Sequence, residues 1–288
     1  MNLSTINGDT RVYGIIGNPV RHSLSPIMHN GAFSHLGLNN VFLTFPVEQV
    51  KDGIQGMRAL DIQGLSVTMP HKSSVIPFLD WIDPIAKKMN TVNTIVNEKG
   101  VLKGYNTDGP GAYRSITDIG LNLNDKSAVI LGNGGTAKAI AFTLLDQVAL
   151  KHLYILGRSA DKIQGLIDLL KDSTDTDIIT SFVNFEDPNF IRAVKGSEII
   201  INTTPIGMHP DIEGIPLSSE LISEGQTVFD VVYKPTQTRL LKEAESRGAR
   251  CINGIEMLVN QGVIQFELWT QKKAPRELMF EVIRKGLT

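Results

Sequence analysis

A glycine-rich turn lies near the middle of the chain, and its position constrains the fold more than any other feature. Residues 127–131 are typical of a buried strand, and Gly132, Gly134, Gly135 and Ala137 follow at the spacing G-x-G-x-x-G/A. Glycines let the backbone approach a dinucleotide pyrophosphate closely, and the N-terminus of the following helix attracts anions. Roughly a hundred residues precede this turn, enough for a separate domain that we expect to hold a substrate site.

Composition excludes several classes of protein. The 288 residues carry a formal net charge of −2, which gives no electrostatic case for binding nucleic acid or an anionic membrane. Cys251 is the only cysteine, so an intrachain disulfide and a four-thiolate zinc site are excluded, and we predict no metal site. The N-terminal residues lack a basic stretch followed by an apolar run, and no apolar segment approaches membrane-spanning length. We therefore expect a cytoplasmic protein.

Short apolar segments alternate with amphipathic ones, which predicts an α/β fold with mainly parallel sheets. We expect an N-terminal α/β substrate domain over residues 1–108 and a Rossmann-like dinucleotide-binding domain over residues 109–248. The C-terminal segment, residues 249–288, ends in helices that we expect to pack on the substrate domain. Within the first domain, Ser25 is expected to cap a helix, and residues 92–96 and 101–105 to form a hairpin.

The second strand of the nucleotide-binding unit indicates which cofactor is bound. NAD-binding units carry an acidic residue at the end of this strand, whereas an arginine there suits the 2′-phosphate of NADP. Here Arg158 and Ser159 follow the strand, Lys162 comes one turn later, and no carboxylate stands at the strand end. The alternative is that Arg158 and Lys162 simply face solvent at a helix start. Given the glycine turn upstream, we favour NADP.

Four polar constellations in the first domain have the composition of an active site. Ser23 and Ser25 could hold a carboxylate through their hydroxyls, although a plain helix cap explains Ser25 equally well. Lys72 lies just past a strand end, where a lysine in a low-dielectric cleft can act as general acid or base; the alternative is a surface lysine. Asn93 is near a strand start, and Asp108 either serves the site or caps the next helix.

Taken together, these motifs resemble the shikimate dehydrogenase family in their order and spacing over nearly the whole chain. The segments that carry the resemblance are His22–Pro26, Val67–Lys72, Val92–Thr94, Gly104–Gly109, Gly132–Ala137, Asn202–Met208, Asp230–Tyr233 and Gly254–Gln261. The resemblance implies a cytoplasmic enzyme of aromatic amino acid biosynthesis that reversibly reduces 3-dehydroshikimate to shikimate with NADP. It also implies that the active site lies between the two domains.

The resemblance also implies roles for individual residues. Lys72 and Asp108 would form the catalytic pair. Substrate binding is assigned to six residues: Ser23 and Ser25 at the carboxylate, Thr68, Asn93 and Gln261 around the ring hydroxyls, and Tyr233 on the nicotinamide side. Cofactor binding is assigned to the glycine-turn residues Gly132, Gly134, Gly135 and Ala137, to Arg158 and Ser159 at the 2′-phosphate, and to Thr203, Met208, Gly254 and Met257.

Some positions depart from the family pattern, and some functions stay open. Asn90 and Thr91 replace the usual Gly-Ala, Gly157 replaces a common asparagine, and Glu256 stands where glycine is frequent. No tyrosine is followed four residues later by lysine, which excludes the short-chain dehydrogenase arrangement. A quinate or mixed quinate/shikimate dehydrogenase is an alternative, as is a catalytically weak ligand-sensing family member. We expect a monomer or homodimer whose partners are small molecules.

Overall fold

The computed structural model describes residues 6–171 and 178–287. The chain divides into two compact units, one formed by Met1–Gly111 with Val259–Thr288 and the other by Ala112–Leu258. Both are α/β, which confirms the predicted fold class. These divisions fall near the proposed domain limits after residues 108 and 248, and the functions assigned to the domains stay a prediction. No helix in the described ranges is long and apolar enough to cross a membrane.

The first unit is built on a mixed sheet of six strands among the described residues, in the order β2-β1-β3-β5-β6-β4. Its strands are β1 (Arg11–Gly17), β2 (Asn40–Pro46), β3 (Gly64–Val67), β4 (Trp81–Ile82), β5 (Thr94–Glu98) and β6 (Val101–Tyr105). β1, β2 and β3 run parallel, whereas β5 is antiparallel to both β3 and β6. The start of β5 therefore lies at the same edge of the sheet as the ends of β1, β3 and β6.

The predicted hairpin is confirmed: a tight turn between β5 and β6 makes these two strands antiparallel. Lys99 and Gly100 both have positive φ, 54° and 91°, as a two-residue type I′ turn requires. Asn97 Oδ1 accepts a hydrogen bond from the Gly100 backbone N–H at 2.7 Å, which closes the turn. The two-residue strand β4 was not predicted, because two residues carry no detectable alternation.

Helices cover the first sheet. They are α1 (Ser25–His35), α2 (Val50–Ala59), α3 (Pro84–Met89), α4 (Asp108–Asp118), α9 (Gly254–Thr270) and α10 (Arg276–Leu287), of which α4 and α9 continue into the second unit. The C-terminal part of α9 packs on the sheet, where Trp269 Nε1 donates to the Ile95 carbonyl at 2.9 Å. α10 packs on α1, with Val282 against Gly31.

The predicted helix cap at Ser25 is wrong. Ser25 is the first residue of α1, Leu24 occupies the cap position, and no side chain makes a capping hydrogen bond there. Instead Ser23 Oγ accepts a hydrogen bond from the Ser25 backbone N–H at 3.2 Å. The Ser23 hydroxyl, two residues before the helix, therefore satisfies one of the backbone N–H groups at the helix start, as a capping side chain would.

The second unit is a parallel sheet in the order β12-β11-β10-β7-β8-β9 within the described residues. Its strands are β7 (Ser127–Leu131), β8 (His152–Leu156), β9 (Ile179–Phe182), β10 (Ile199–Asn202), β11 (Thr227–Asp230) and β12 (Arg250–Ile252). The helices between them are α5 (Gly135–Gln147), α6 (Ala160–Lys171), α7 (Pro188–Lys195) and α8 (Arg239–Ser246). This is the dinucleotide-binding strand order, in which the direction of winding switches between β7 and β10.

A buried histidine lies in the aromatic core of the first unit. His29 on α1 is fully buried and stacks on Phe42, with ring centroids 4.6 Å apart, while Trp269 lies 5.1 Å away. Neither ring nitrogen makes a hydrogen bond of good geometry among the described residues, although the Gln265 side chain lies close enough to oppose part of the pKa shift. Burial disfavours the charged imidazolium and lowers the pKa of His29 from 6.5 to about 3.

We predict that His29 makes the fold acid-sensitive. Below pH 6.5 the unfolded chain binds a proton at this histidine that the folded protein refuses until about pH 3, so stability is lost as pH falls through that window. The free energy of unfolding should drop by about 2 kcal/mol between pH 7 and pH 5 on this account. Denaturant titrations at both pH values should show that His29→Phe removes that drop. His35→Phe, a control at the exposed end of the same helix, should keep it.

Candidate active site

The loops at one edge of the first sheet bring together the two residues predicted to form the catalytic pair. Lys72 lies in the turn after β3, and Asp108 is the first residue of α4 after β6. The Lys72 Nζ atom is 2.5 Å from Asp108 Oδ2. The lysine side chain is 25% exposed and the aspartate side chain 10% exposed, so the pair is close to solvent but mostly desolvated. A close, partly buried pair of this kind can hold or transfer a proton.

Asn93, at the start of β5, holds the second oxygen of the aspartate. Asn93 Nδ2 donates to Asp108 Oδ1 at 2.9 Å and to Thr107 Oγ1 at 3.0 Å. Asn93 Oδ1 in turn accepts from the Thr107 backbone N–H at 2.8 Å. Both carboxylate oxygens therefore have donors, and the aspartate has a fixed orientation.

Gln261 reaches the same cluster from α9. Thr107 Oγ1 is 3.4 Å from Gln261 Oε1. A Cβ on Gly111 would come within 2.7 Å of the Gln261 backbone nitrogen, so only glycine lets α4 and α9 approach this closely. Thr107 was not predicted as a site residue, although it lies inside the quoted segment Gly104–Gly109. The signal for Thr107 in the sequence was its position between two polar residues, Asn106 and Asp108.

Among the described residues, the other side chains predicted to bind substrate make no hydrogen bond to Lys72 or Asp108. Ser23 lies in the loop between β1 and α1, and Ser25, the first residue of α1, is almost fully buried. Thr68 follows β3 and donates its backbone N–H to the Ile16 carbonyl at 2.9 Å, which places it beside the end of β1. Tyr233 belongs to the second unit, where burial raises the pKa of its hydroxyl above 10.

The glycine turn of the second unit has the geometry expected of a phosphate-binding loop. Gly132 follows β7 with φ at +113°, which side-chain-bearing residues rarely adopt, and a Cβ there would overlap Thr203 Oγ1. Gly134 precedes α5, whose first residue is Gly135, and no side chain caps this helix. The backbone N–H groups of the first turn are therefore available to an anion, while Ala137 packs fully buried behind them.

Thr203 joins the two strands at the winding switch. It follows β10, and its hydroxyl donates to the Leu131 carbonyl at the end of β7 over 2.7 Å. Nearby, Asp230 accepts from Asn202 Nδ2 at 2.9 Å and from Thr238 Oγ1 at 2.6 Å. Burial raises the pKa of Asp230. These bonds fix the loops after β10, which is next to β7 and its glycine turn in the strand order, and after β11, which is next to β10.

Arg158 lies just after the second strand of the nucleotide-binding unit, where the sequence predicts a contact to a 2′-phosphate. It is exposed, follows the end of β8 by two residues, and makes no ion pair within the described residues. The family departure at Gly157 has a steric cause. A Cβ on Gly157 would lie 3.0 Å from Asn133 Nδ2 and 3.1 Å from Ile163 Cγ1. The side chain of Asn133, within the glycine turn, takes up the space that a residue at 157 would need.

The other predicted cofactor residues also lie in the second unit. Ser159 immediately precedes α6, and its backbone carbonyl accepts a hydrogen bond from the Ile163 backbone N–H at 3.1 Å. Met208 is largely exposed, whereas Met257 on α9 is buried. Gly254 has a packing role, because a Cβ there would approach the Val231 carbonyl oxygen to 2.5 Å. The structure thus supplies a steric reason for this glycine that requires no ligand.

Comparison with known proteins identifies the family. Residues 15–95 match the shikimate dehydrogenase substrate binding domain, and residues 254–284 match the shikimate 5′-dehydrogenase C-terminal domain. A "Shikimate dehydrogenase (NADP(+))" of Methanosphaera stadtmanae is 42% identical over 98% of this chain and 99% of its own length. This chain belongs to the shikimate dehydrogenase family. The resemblance inferred from the sequence motifs is confirmed.

Solved structures of shikimate dehydrogenases share the whole fold. The shikimate 5-dehydrogenase of Listeria monocytogenes, in complex with shikimate and NAD, superposes with a TM-score of 0.91 at 37% identity, covering 96% of this chain and 98% of that one. A shikimate dehydrogenase in complex with NADP+ gives a TM-score of 0.90 at 38% identity, covering 98% of both chains. Family membership therefore extends over the residues of both units.

We predict opposite effects from two alanine substitutions in the glycine turn. Gly132→Ala should lower the free energy of unfolding by about 1–3 kcal/mol, because the positive φ is strained for alanine and its Cβ overlaps Thr203. Gly134→Ala has ordinary φ and open space, so stability should hold or rise by up to ~1 kcal/mol. Its Cβ should nevertheless weaken NADP binding by obstructing the pyrophosphate. Thermal melts and NADP titrations test both; wild-type NADP affinity in Gly134→Ala would contradict the site.

Proposed function

We propose that this chain is an NADP-dependent shikimate dehydrogenase that reversibly reduces 3-dehydroshikimate to shikimate, with Lys72 and Asp108 as its acid–base pair. The 2.5 Å contact between Lys72 Nζ and Asp108 Oδ2 is the observation that carries the assignment of the pair. Full-length relatives named "Shikimate dehydrogenase (NADP(+))" support the reaction and the cofactor.

The substrate is held at the edge of the first sheet in this proposal. Ser23, in the loop after β1, and Ser25, at the start of α1, bind its carboxylate. Thr68, Asn93 and Gln261 contact the ring hydroxyls, and the hydrogen bonds from Asn93 to Asp108 and from Thr107 to Gln261 support a place for both residues beside the acid–base pair. Tyr233 completes the set from the second unit.

The residues of the second unit fit NADP. The uncapped N-terminus of α5 and the close approach allowed by Gly132 suit a pyrophosphate, and exposed Arg158 suits a 2′-phosphate. Gly134, Gly135 and Ala137 complete the turn. The other residues assigned to the cofactor are Ser159, Thr203, Met208, Gly254 and Met257. NADP, when bound, supplies or accepts the hydride.

The protein supplies the proton. In the ion pair Lys72 carries the proton and Asp108 accepts it in a hydrogen bond, which is the state needed to protonate the ketone oxygen during reduction. Lys72 Nζ then gives its proton to that oxygen, which becomes the hydroxyl of shikimate. The lysine is partly exposed and regains a proton from water. In the oxidation direction Lys72, or the Lys72–Asp108 pair acting together, removes the hydroxyl proton.

The cellular setting is also part of the proposal. We propose a cytoplasmic location and expect neither nucleic acid nor membrane as a partner, since the formal net charge is only −2. We propose a monomer or homodimer, to be decided by sedimentation of the purified protein.

We predict that Lys72→Ala lowers kcat by roughly 10²–10⁴, the usual loss for a positioned acid or base. Shikimate binding should change much less, because other residues hold its carboxylate and ring. Stopped-flow NADPH absorbance with 3-dehydroshikimate measures kcat, and equilibrium titration measures binding. The control is Lys51→Ala on the exposed start of α2, which should retain wild-type kinetics. Near wild-type kcat in Lys72→Ala would remove this residue from the mechanism.

The same assay separates the alternatives. Wild-type enzyme should oxidise shikimate with NADP, and a comparable kcat/KM for quinate would instead indicate a mixed specificity. Binding of shikimate without NADPH formation would favour a ligand-sensing member of the family.

We predict that Arg158→Ala raises the KM for NADP and leaves the KM for NAD nearly unchanged. The lost interaction is a charge-assisted hydrogen bond to phosphate, worth about 1.5–3 kcal/mol. Lys162→Ala is the matched control, because Lys162 is also exposed but lies one turn further on. Salt should weaken NADP binding more than NAD binding in the wild type, since an exposed phosphate contact is screened. An equal loss for both cofactors in Arg158→Ala would contradict this assignment.

A further inference from the structure

A second buried glutamine, Gln265, connects α9 to the catalytic edge of the first sheet. It lies one helical turn after Gln261 and is 2% exposed. Gln265 Oε1 accepts from Ser66 Oγ on β3 at 2.9 Å. Gln265 Nε2 donates to Thr94 Oγ1 on β5 at 2.9 Å and to the Asn93 backbone carbonyl at 3.3 Å. None of the roles assigned above uses this residue.

The neighbours fix which way the glutamine amide points. A backbone carbonyl can only accept hydrogen bonds, so the amide atom facing the Asn93 carbonyl has to be the nitrogen. The amide oxygen then faces Ser66, which is itself buried and donates to it. The amide of Gln265 therefore has one orientation that satisfies Ser66, Thr94 and the Asn93 carbonyl, while the His29 ring also lies close to this side chain.

That orientation determines the direction of the next hydrogen bond. Thr94 Oγ1 receives a hydrogen from Gln265, and of its two other polar neighbours Asn93 Oδ1, at 2.8 Å, is closer than Thr107 Oγ1, at 3.3 Å, so the Thr94 hydrogen is directed to Asn93. Asn93 Oδ1 also accepts the Thr107 backbone N–H, so the Asn93 nitrogen is left to face Asp108. Four buried groups are thus linked donor to acceptor, from Ser66 to the carboxylate.

We propose that Gln265 is a positioning residue for the Lys72–Asp108 pair, acting through Thr94 and Asn93. It fixes the direction of the Thr94 hydroxyl, which acts together with the Thr107 backbone N–H to hold the Asn93 amide with its N–H groups toward Asp108. The other carboxylate oxygen, Asp108 Oδ2, then stays hydrogen-bonded to Lys72 Nζ. This inference rests on the proposed function, since it assigns Gln265 a purpose in the same proton transfer.

Gln265→Glu is the sharpest test, because it keeps the size of the side chain and reverses its hydrogen bonding. A carboxylate at 265 cannot donate to Thr94, so it draws the Thr94 hydrogen to itself and away from Asn93. We expect kcat at pH 9 to fall about tenfold, the equivalent of ~1.4 kcal/mol or roughly one hydrogen bond.

Lowering the pH should reverse this loss. A protonated carboxyl can donate to Thr94 as the amide does, and burial raises the pKa of such a group above its ordinary value. The kcat ratio of Gln265→Glu to wild type should therefore rise toward one between pH 9 and pH 5.5. The titratable groups nearest the site are Lys72, Asp108 and His29, and all three are present in both proteins.

A matched control separates positioning from the general cost of a buried charge. Gln226 in the second unit is also buried and donates to the Val194 and Ser197 carbonyls at 2.7 and 2.6 Å. Gln226→Glu should lower the melting temperature but leave the kcat ratio to wild type constant with pH. If Gln265→Glu gives the same constant ratio, the proposal is overturned.

The route through Thr94 is tested by a double variant. Thr94→Val removes the hydroxyl with little change of shape, so it should lower kcat itself. The pH dependence of the loss caused by Gln265→Glu should then disappear in the Thr94→Val background. A pH dependence that persists without the Thr94 hydroxyl would mean that the new charge acts directly, through His29 for example, and would overturn the proposed route.

A readout independent of activity separates this inference from the proposed function. The side-chain amide signal of Asn93 in ¹⁵N-labelled protein, assigned by its loss in Asn93→Asp, should move with pH in Gln265→Glu. It should not move over the same range in wild type or Gln226→Glu. If the wild type failed to oxidise shikimate, the proposed function would fall, while a moving signal would still support the hydrogen-bond direction. A stationary signal in Gln265→Glu would overturn it.

Discussion

The carboxylate of Asp108 is largely excluded from water, and it therefore needs hydrogen-bond donors on both oxygens. Lys72 serves one oxygen and Asn93 the other. These hydrogen bonds join three separate segments at one edge of the first sheet: the turn after β3, the residue before β5 and the start of α4. An unpaired buried carboxylate would cost several kcal/mol, so the geometry of the pair and the stability of this part of the fold depend on the same bonds.

The second unit carries the glycine turn, which in the proposed function lets the backbone approach a phosphate closely. Gly132 supplies a conformation that other residues rarely adopt, and its missing Cβ makes room for the Thr203 hydroxyl, which ties β7 to β10. Asn133 and Gly157 show how one position can compensate for another. The side chain at 133 fills the space beside residue 157, so an unusual glycine after β8 is a packing consequence rather than a loss of the site.

Features with a local pattern or a motif could be predicted from the sequence, whereas contacts between residues far apart along the chain could not. The parallel nucleotide-binding unit and the β5–β6 hairpin were predictable because each has a local pattern or a motif, and the proximity of Lys72 to Asp108 was predictable from the family motifs, while their catalytic role stays a prediction. The misplaced cap at Ser25 arose because Ser-Pro fits two neighbouring positions at a helix start. Thr107 and Gln265 were missed because their importance comes from partners on other strands, and the steric role of Gly254 depends on a backbone segment more than twenty residues earlier.

The antiparallel β5–β6 hairpin has a consequence for how the site assembles. By turning back after only two residues, the chain visits the same sheet edge twice within a short stretch, at Asn93 and at Asp108. Closing so short a loop costs less conformational entropy than bringing in Lys72, and far less than bringing in Gln265 from near the C-terminus. The hydrogen bonds between Asn93 and the Thr107–Asp108 segment are therefore local contacts, which can form before the long-range part of the fold is complete.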